Sequence, residues 1–126
     1  MIRLIISDCD GVLTDGKLYY GAEGEVLKVF NVKDGTAIKA LMAEGIKFGI
    51  VTGRGSAALE RRAEELGLDF CQMNINDKAQ AVAALRDQYG VAVHETLFVG
   101  DDTNDCVVRS ECGHLYAVND AAEALL

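Results

Sequence analysis

The 126-residue chain contains no proline, and no apolar run in it approaches the length needed to cross a bilayer. Its first residues lack the layout of a secretion signal. The four cysteines, Cys9, Cys71, Cys106 and Cys112, form no C-x-x-C pair, and His94 and His114 complete no zinc pattern. Positive charge is scarce, with 12 Lys and Arg against 20 Asp and Glu and a net charge of −8. Nucleic acid and anionic membranes both require a positive face, so neither is expected as a partner. There is no internal repeat, low-complexity tract or linker. These absences lead to the expectation of one soluble, cytoplasmic domain over residues 1–126 with reduced thiols. Half of the residues are apolar, enough for a packed core.

What is present begins with Ile2 to Ile6, a short run rich in β-branched residues. It suits a strand buried on both faces of a parallel sheet. Two carboxylates one residue apart, Asp8 and Asp10, follow it, and then Gly11. Strand and helix patterns alternate from there. Lys17–Tyr20 and Glu25–Phe30 read as a β-hairpin around a four-residue loop containing glycine. A helix is expected over 36–44, capped by Asp34 and ended by Gly45. Lys47–Val51 reads as a strand, Ser56–Leu66 as a helix with Leu59, Ala63 and Leu66 inward, and Phe70-Cys71 as a short strand. A helix over 77–89, a strand over 96–99, a short helix near 104–110, a strand over 114–118 and the start of a helix at 121 complete the chain. The alternation predicts an α/β fold with about five parallel strands and helices on both faces.

Three motifs directly follow buried strands: Asp8 with Asp10, Thr52 with Gly53 and Arg54, and Asp101 with Asp102. In a parallel sheet these strand ends share one rim, where ligands bind. Clustered acids repel and resist desolvation, and a hard divalent cation such as Mg²⁺ relieves both penalties. Phosphoryl transfer needs a nucleophile, charge neutralisation and a proton donor for the leaving group. Asp8 is the candidate nucleophile and Asp10 the candidate acid and base. Asp8, the main-chain carbonyl of Asp10, and Asp101 are the candidate magnesium ligands, with Asp102 and Asp105 in support. Thr52 is positioned to bond a phosphate oxygen, and Lys78 to bring positive charge to the phosphate and to Asp8. Arg54 is a candidate for gripping a substrate carboxylate with two bonds.

Each of these residues has a plainer reading. Asp-x-Asp-Gly is also a turn sequence, Thr52 also a strand-end residue, and Lys78 also a solvated lysine. Gly100-Asp101-Asp102 reads equally as a turn and cap, Asp105 as a first-turn acid, and Arg54, Arg61 and Arg62 as surface charges.

Asp8-Cys-Asp-Gly-Val-Leu-Thr-Asp-Gly, Thr52-Gly-Arg, Lys78 and Gly100-Asp-Asp-Thr-Asn-Asp105 resemble, in order and spacing, the four motifs of the haloacid dehalogenase superfamily. The hairpin and Phe30-Asn-Val-Lys-Asp-Gly are similar to its capless subgroup of 3-deoxy-D-manno-octulosonate (KDO) 8-phosphate phosphatases, enzymes of lipopolysaccharide biosynthesis. The resemblance covers nearly the whole chain. It implies a Rossmann-like three-layer sandwich without a cap domain, Mg²⁺, and an aspartyl-phosphate mechanism. It also implies a homotetramer in which hairpins, here about 17–30, help cover neighbouring sites. Thr52-Gly53-Arg54 resembles the KDO type more than the nine-carbon sugar-acid phosphatases, which tend to carry Glu at the position of Arg54. Arg62 falls where the family often has a basic residue. Three features depart from the pattern. Met73 stands where glycine is usual, Cys106-Val107 replaces a stretch that usually contains proline, and the sequence stops at Leu126 where family members continue with a helix and a glycine-rich tail.

Two other classes are considered. A signalling receiver domain would place its phosphate-accepting Asp after a middle strand, whereas Thr52 follows the second sheet strand here. A catalytically idle homologue acting as an assembly subunit is disfavoured by the full set of motif acids.

Overall fold

The computed structural model describes residues 1–8, 19–21, 24–27, 32–100 and 110–117. Five strands form one parallel sheet: β1 (Leu4–Ser7), β4 (Lys47–Val51), β5 (Phe70–Gln72), β6 (Thr96–Gly100) and β7 (His114–Ala117). Their spatial order is β5-β4-β1-β6-β7. Two further strands, β2 (Tyr19–Gly21) and β3 (Gly24–Leu27), pair antiparallel in a separate sheet, with an irregularity between Tyr19 and Tyr20. This is the expected hairpin. Its described part is shorter than 17–30, because residues 17–18 and 28–30 lie outside the described residues.

The helices are α1 (Val32–Ala43), α2 (Ala57–Leu66) and α3 (Lys78–Tyr89). The last two begin one residue later than the pattern predicts, because Ser56 and Asp77 serve as their caps. Ser56 and Asp77 accept from the N–H groups of Leu59 and Gln80, both at 3.0 Å, which satisfies first-turn donors. Gly67 and Gly90 close α2 and α3 in the left-handed conformation. The start of α1 differs from expectation. The helix begins at Val32, so Asp34 lies in its first turn and is not its cap. A first-turn carboxylate is favoured by the helix dipole, so Asp34 suits either position and does not by itself mark the boundary. A 3₁₀ turn at Val93–Glu95, which the sequence pattern does not signal, leads into β6.

Alternation along the strands divides the core between two faces. Leu4, Ile6, Val51 and Phe98 pack with Val82 and Leu85 of α3 on one face. Ile5 and Phe48 pack with Ile38 of α1 and Leu66 of α2 on the other, where Ile50 also meets Leu59. The result is the expected three-layer α/β sandwich. All four ladders are parallel, and both neighbours of β1 share its register: Ser7 lies beside Ile50 on β4 and beside Val99 on β6.

Among the described residues no helix is long and apolar enough to cross a membrane. Cys71 is a free thiol, Cys112 is buried, and Cys9 and Cys106 lie outside the described residues. Burial, then Glu60, pushes the Cys71 thiol above its ordinary value, which keeps it protonated and poorly reactive.

The β4–β5 edge depends on one glycine. A methyl built on Gly49 would lie 2.3 Å from the Phe70 ring and 2.4 Å from the Phe70 carbonyl oxygen. Gly49→Ala is expected to destabilise the protein by about 1–3 kcal/mol through overpacking, read as a lower urea midpoint. An unchanged midpoint would show that the edge strand can shift freely.

Candidate active site

From β1 the chain builds outward through β4 to β5, then returns to the other side of β1 with β6 and β7. The strand order therefore reverses between β1 and β6. In open parallel sheets the crevice beyond the carboxyl ends of such a pair is the usual ligand site. Asp8 stands there, one residue past the end of β1. Its N–H donates to the Val99 carbonyl at 2.9 Å, and its carbonyl accepts from the Ser7 hydroxyl at 2.7 Å. The backbone of Asp8 is thus fixed from both sides, and the residue is only 6 % exposed.

An ionised carboxylate this buried requires compensation. Lys78 supplies part of it, with Nζ 3.7 Å from Asp8 Oδ2 and a side chain 12 % exposed. Lys78 is also the first residue of α3. A cation at a helix amino terminus opposes the helix dipole, so local helix preferences do not account for it. The ion pair across 70 residues of chain does, and the solvated-lysine reading is set aside.

Thr52 follows β4 and is 2 % exposed. Its N–H donates to the Gln72 carbonyl at 3.0 Å, and its carbonyl accepts from the Ile75 N–H at 2.9 Å. The Arg54 N–H donates to Thr52 Oγ1 at 3.3 Å. With that oxygen accepting, the hydroxyl proton is the group's remaining donor, which is what a phosphate oxygen needs. Gly53 and Arg54 are exposed in the same loop.

Arg62 behaves differently from the other candidates. It lies along α2, and its ion partner among the described residues is Glu65, 3.5 Å away and three residues on. The structure therefore brings together Asp8 and Lys78, ties Thr52 to the loop that leads to Lys78, and leaves Arg62 in a local helical pair. Asp10, Asp101, Asp102 and Asp105 lie outside the described residues. Asp101 follows Gly100, the last residue of β6, and β6 is the direct neighbour of β1.

Met73, one of the departures from the resembled pattern, is partly buried against Ile50 and Leu59 beneath α2. The special backbone is one residue further on. Asn74 has φ 59°, the only positive value among the described non-glycine residues. Sequence reasoning passed over Asn74; the signal available was that asparagine is one of the few side chains to tolerate this conformation.

Residues 23–108 match the family described as haloacid dehalogenase-like hydrolase. The chain belongs to this family. A 3-deoxy-D-manno-octulosonate 8-phosphate phosphatase of Haemophilus influenzae is 42 % identical over 120 residues, covering 95 % of this chain and 67 % of that protein. Among solved structures, the cobalt-bound H. influenzae phosphatase superposes with a TM-score of 0.92 at 41 % identity, over 96 % of this chain and 71 % of that one. The Moraxella catarrhalis phosphatase in complex with magnesium, phosphate and KDO gives 0.92 at 36 % identity, over 98 % and 71 %. The chain spans about two thirds of the length of these relatives.

Within this hydrolase fold, removing one member of the buried pair takes an opposite charge away from the other. Lys78→Met is expected to lower phosphoester turnover by about 10²-fold or more, as loss of a fixed charge at a reacting centre does. It is also expected to destabilise the fold by about 3 kcal/mol, because Asp8 loses its cation. Steady-state kinetics and urea unfolding check both, and unchanged values in each would return Lys78 to the solvated surface.

Proposed function

We propose that this chain is a Mg²⁺-dependent phosphatase acting on a phosphorylated 2-keto-3-deoxy sugar acid of the KDO 8-phosphate kind, through an aspartyl-phosphate intermediate. The observation that carries the reading is a buried Asp8 at the switch point of a parallel sheet with the Lys78 ammonium against it. The similarity to KDO 8-phosphate phosphatases supports the substrate class.

Asp8 is the nucleophile. A carboxylate oxygen forms a bond to phosphorus while the ester P–O bond breaks, and Asp10 gives its proton to the departing alcohol. Asp10 then takes a proton from water, which attacks the same phosphorus. Inorganic phosphate leaves and the Asp8 carboxylate is restored. Thr52 donates to a phosphate oxygen, and Lys78 holds Asp8 and the phosphoryl group in place with its charge. The donor chemistry fits magnesium, since Asp8 offers hard carboxylate oxygens at a site with one lysine. If Asp10 and Asp101 join Asp8 as proposed, three acids share the site with Lys78, an imbalance that a divalent cation matches. Asp8, the Asp10 carbonyl and Asp101 would hold the ion, supported by Asp102 and Asp105. When bound, it supplies charge neutralisation on the phosphoryl oxygens.

Arg54, exposed at the rim, is assigned to the substrate carboxylate, with Gly53 allowing close approach; Arg62 has a weaker claim because Glu65 already engages it. The assembly proposed is a cytoplasmic homotetramer.

Purified protein is expected to hydrolyse p-nitrophenyl phosphate only with Mg²⁺, and Asp8→Asn to abolish turnover. Undiminished turnover by that variant would remove Asp8 as nucleophile. Arg54→Ala is expected to raise KM for KDO 8-phosphate by about tenfold, the scale of one lost charged hydrogen-bond pair, with little effect on p-nitrophenyl phosphate. Equal losses on both substrates would remove Arg54 from carboxylate recognition.

A further inference from the structure

The loops after β4 and β5 are joined at two points by main-chain bonds. The Ile75 N–H donates to the Thr52 carbonyl at 2.9 Å, and the Asn74 N–H to the Arg54 carbonyl at 3.4 Å. One loop carries the residues assigned to phosphate and carboxylate. The other leads within four residues to Lys78.

Asn74 occupies the left-handed region, which glycine would enter with less strain. What asparagine adds is an amide. A methyl built on Gly55 would lie 2.8 Å from Asn74 Nδ2, 3.2 Å from Oδ1 and 3.3 Å from Cγ. The amide therefore covers the Gly55 α-carbon. Gly55 itself does not have the positive φ of Gly45, Gly67 and Gly90. The Asn74 amide, and not backbone strain, is what a side chain there would have to displace. The two residues form a size-matched pair: a bulky amide on one loop and a bare α-carbon on the other.

We propose that Asn74 is a positioning residue for substrate recognition, its backbone bond and its amide on Gly55 holding Arg54 at a set place relative to the Lys78–Asp8 pair. The inference rests on the phosphatase reading above. Lys78 has a separate anchor, the Asp77 cap on α3. Disturbing the Asn74–Gly55 contact should therefore move Arg54 while sparing the reacting groups. The substrate's carboxylate end feels the change, and the phosphoryl end does not.

The test uses the whole chain with KDO 8-phosphate and p-nitrophenyl phosphate. Gly55→Ala is expected to raise KM for the sugar acid on the order of tenfold, with kcat and both constants for the aryl ester within about twofold, since misplacing a binding group is felt where that group binds. Asn74→Gly introduces no clash and keeps the left-handed backbone; it is expected to raise the same KM about threefold. In the double variant the new methyl fills space vacated by the amide, and KM recovers most of the way from the Gly55→Ala value. Equal losses on both substrates, or a double variant no better than Gly55→Ala, would overturn the assignment. Magnesium-dependent turnover of the aryl ester that is lost in Asp8→Asn checks the underlying reading separately. With it intact, a flat KM across these variants sinks the role of Asn74 alone.

Discussion

A single carboxylate, withdrawn from water between two parallel strands, sets the terms for the rest of the molecule. Asp8 is held by the Val99 carbonyl and lies at a sheet reversal point, where neighbouring strand ends diverge. Its burial makes a partner necessary, and Lys78 meets that need from the opposite side of the chain's topology. Such a pair is a weak source of stability, because desolvation offsets most of the attraction. Its presence is better explained by chemistry that needs a dry, oriented carboxylate with positive charge beside it.

The packing serves the same end. The layer of α1 and α2 on one face and α3 on the other makes the central strands inaccessible except at their ends. Reactive groups can then emerge only at the rim. The loops after β4 and β5 are short and cross-linked, Thr52 to Gln72 and Ile75, and Arg54 to Asn74. Short, hydrogen-bonded loops lose little further entropy when substrate binds, which favours affinity and precise placement.

Much of this was readable along the chain because the signals are local. Gly67 and Gly90 end helices, and Leu59, Ala63 and Leu66 follow helical spacing into the core. Position after a buried strand picked out Asp8 and Thr52, since strand ends in a parallel sheet share a rim. The boundary of α1 was misplaced because Asp34 is acceptable both before a helix and in its first turn. Arg62 was named by resemblance, and its pairing with Glu65 is a matter of side-chain direction that spacing does not convey. Asn74 escaped notice because a left-handed residue outside a recognisable turn sequence leaves little trace.

By itself the sequence determined the element types, the glycine helix ends, the alternating burial and the kinds of side chain that end each strand, all of which depend on neighbours within a few residues. Only the tertiary structure decided that β1 lies between β4 and β6, that Lys78 meets Asp8, and that Asn74 covers Gly55. Those facts join residues far apart in the chain. They follow from the order in which strands pack and from the direction in which each loop returns.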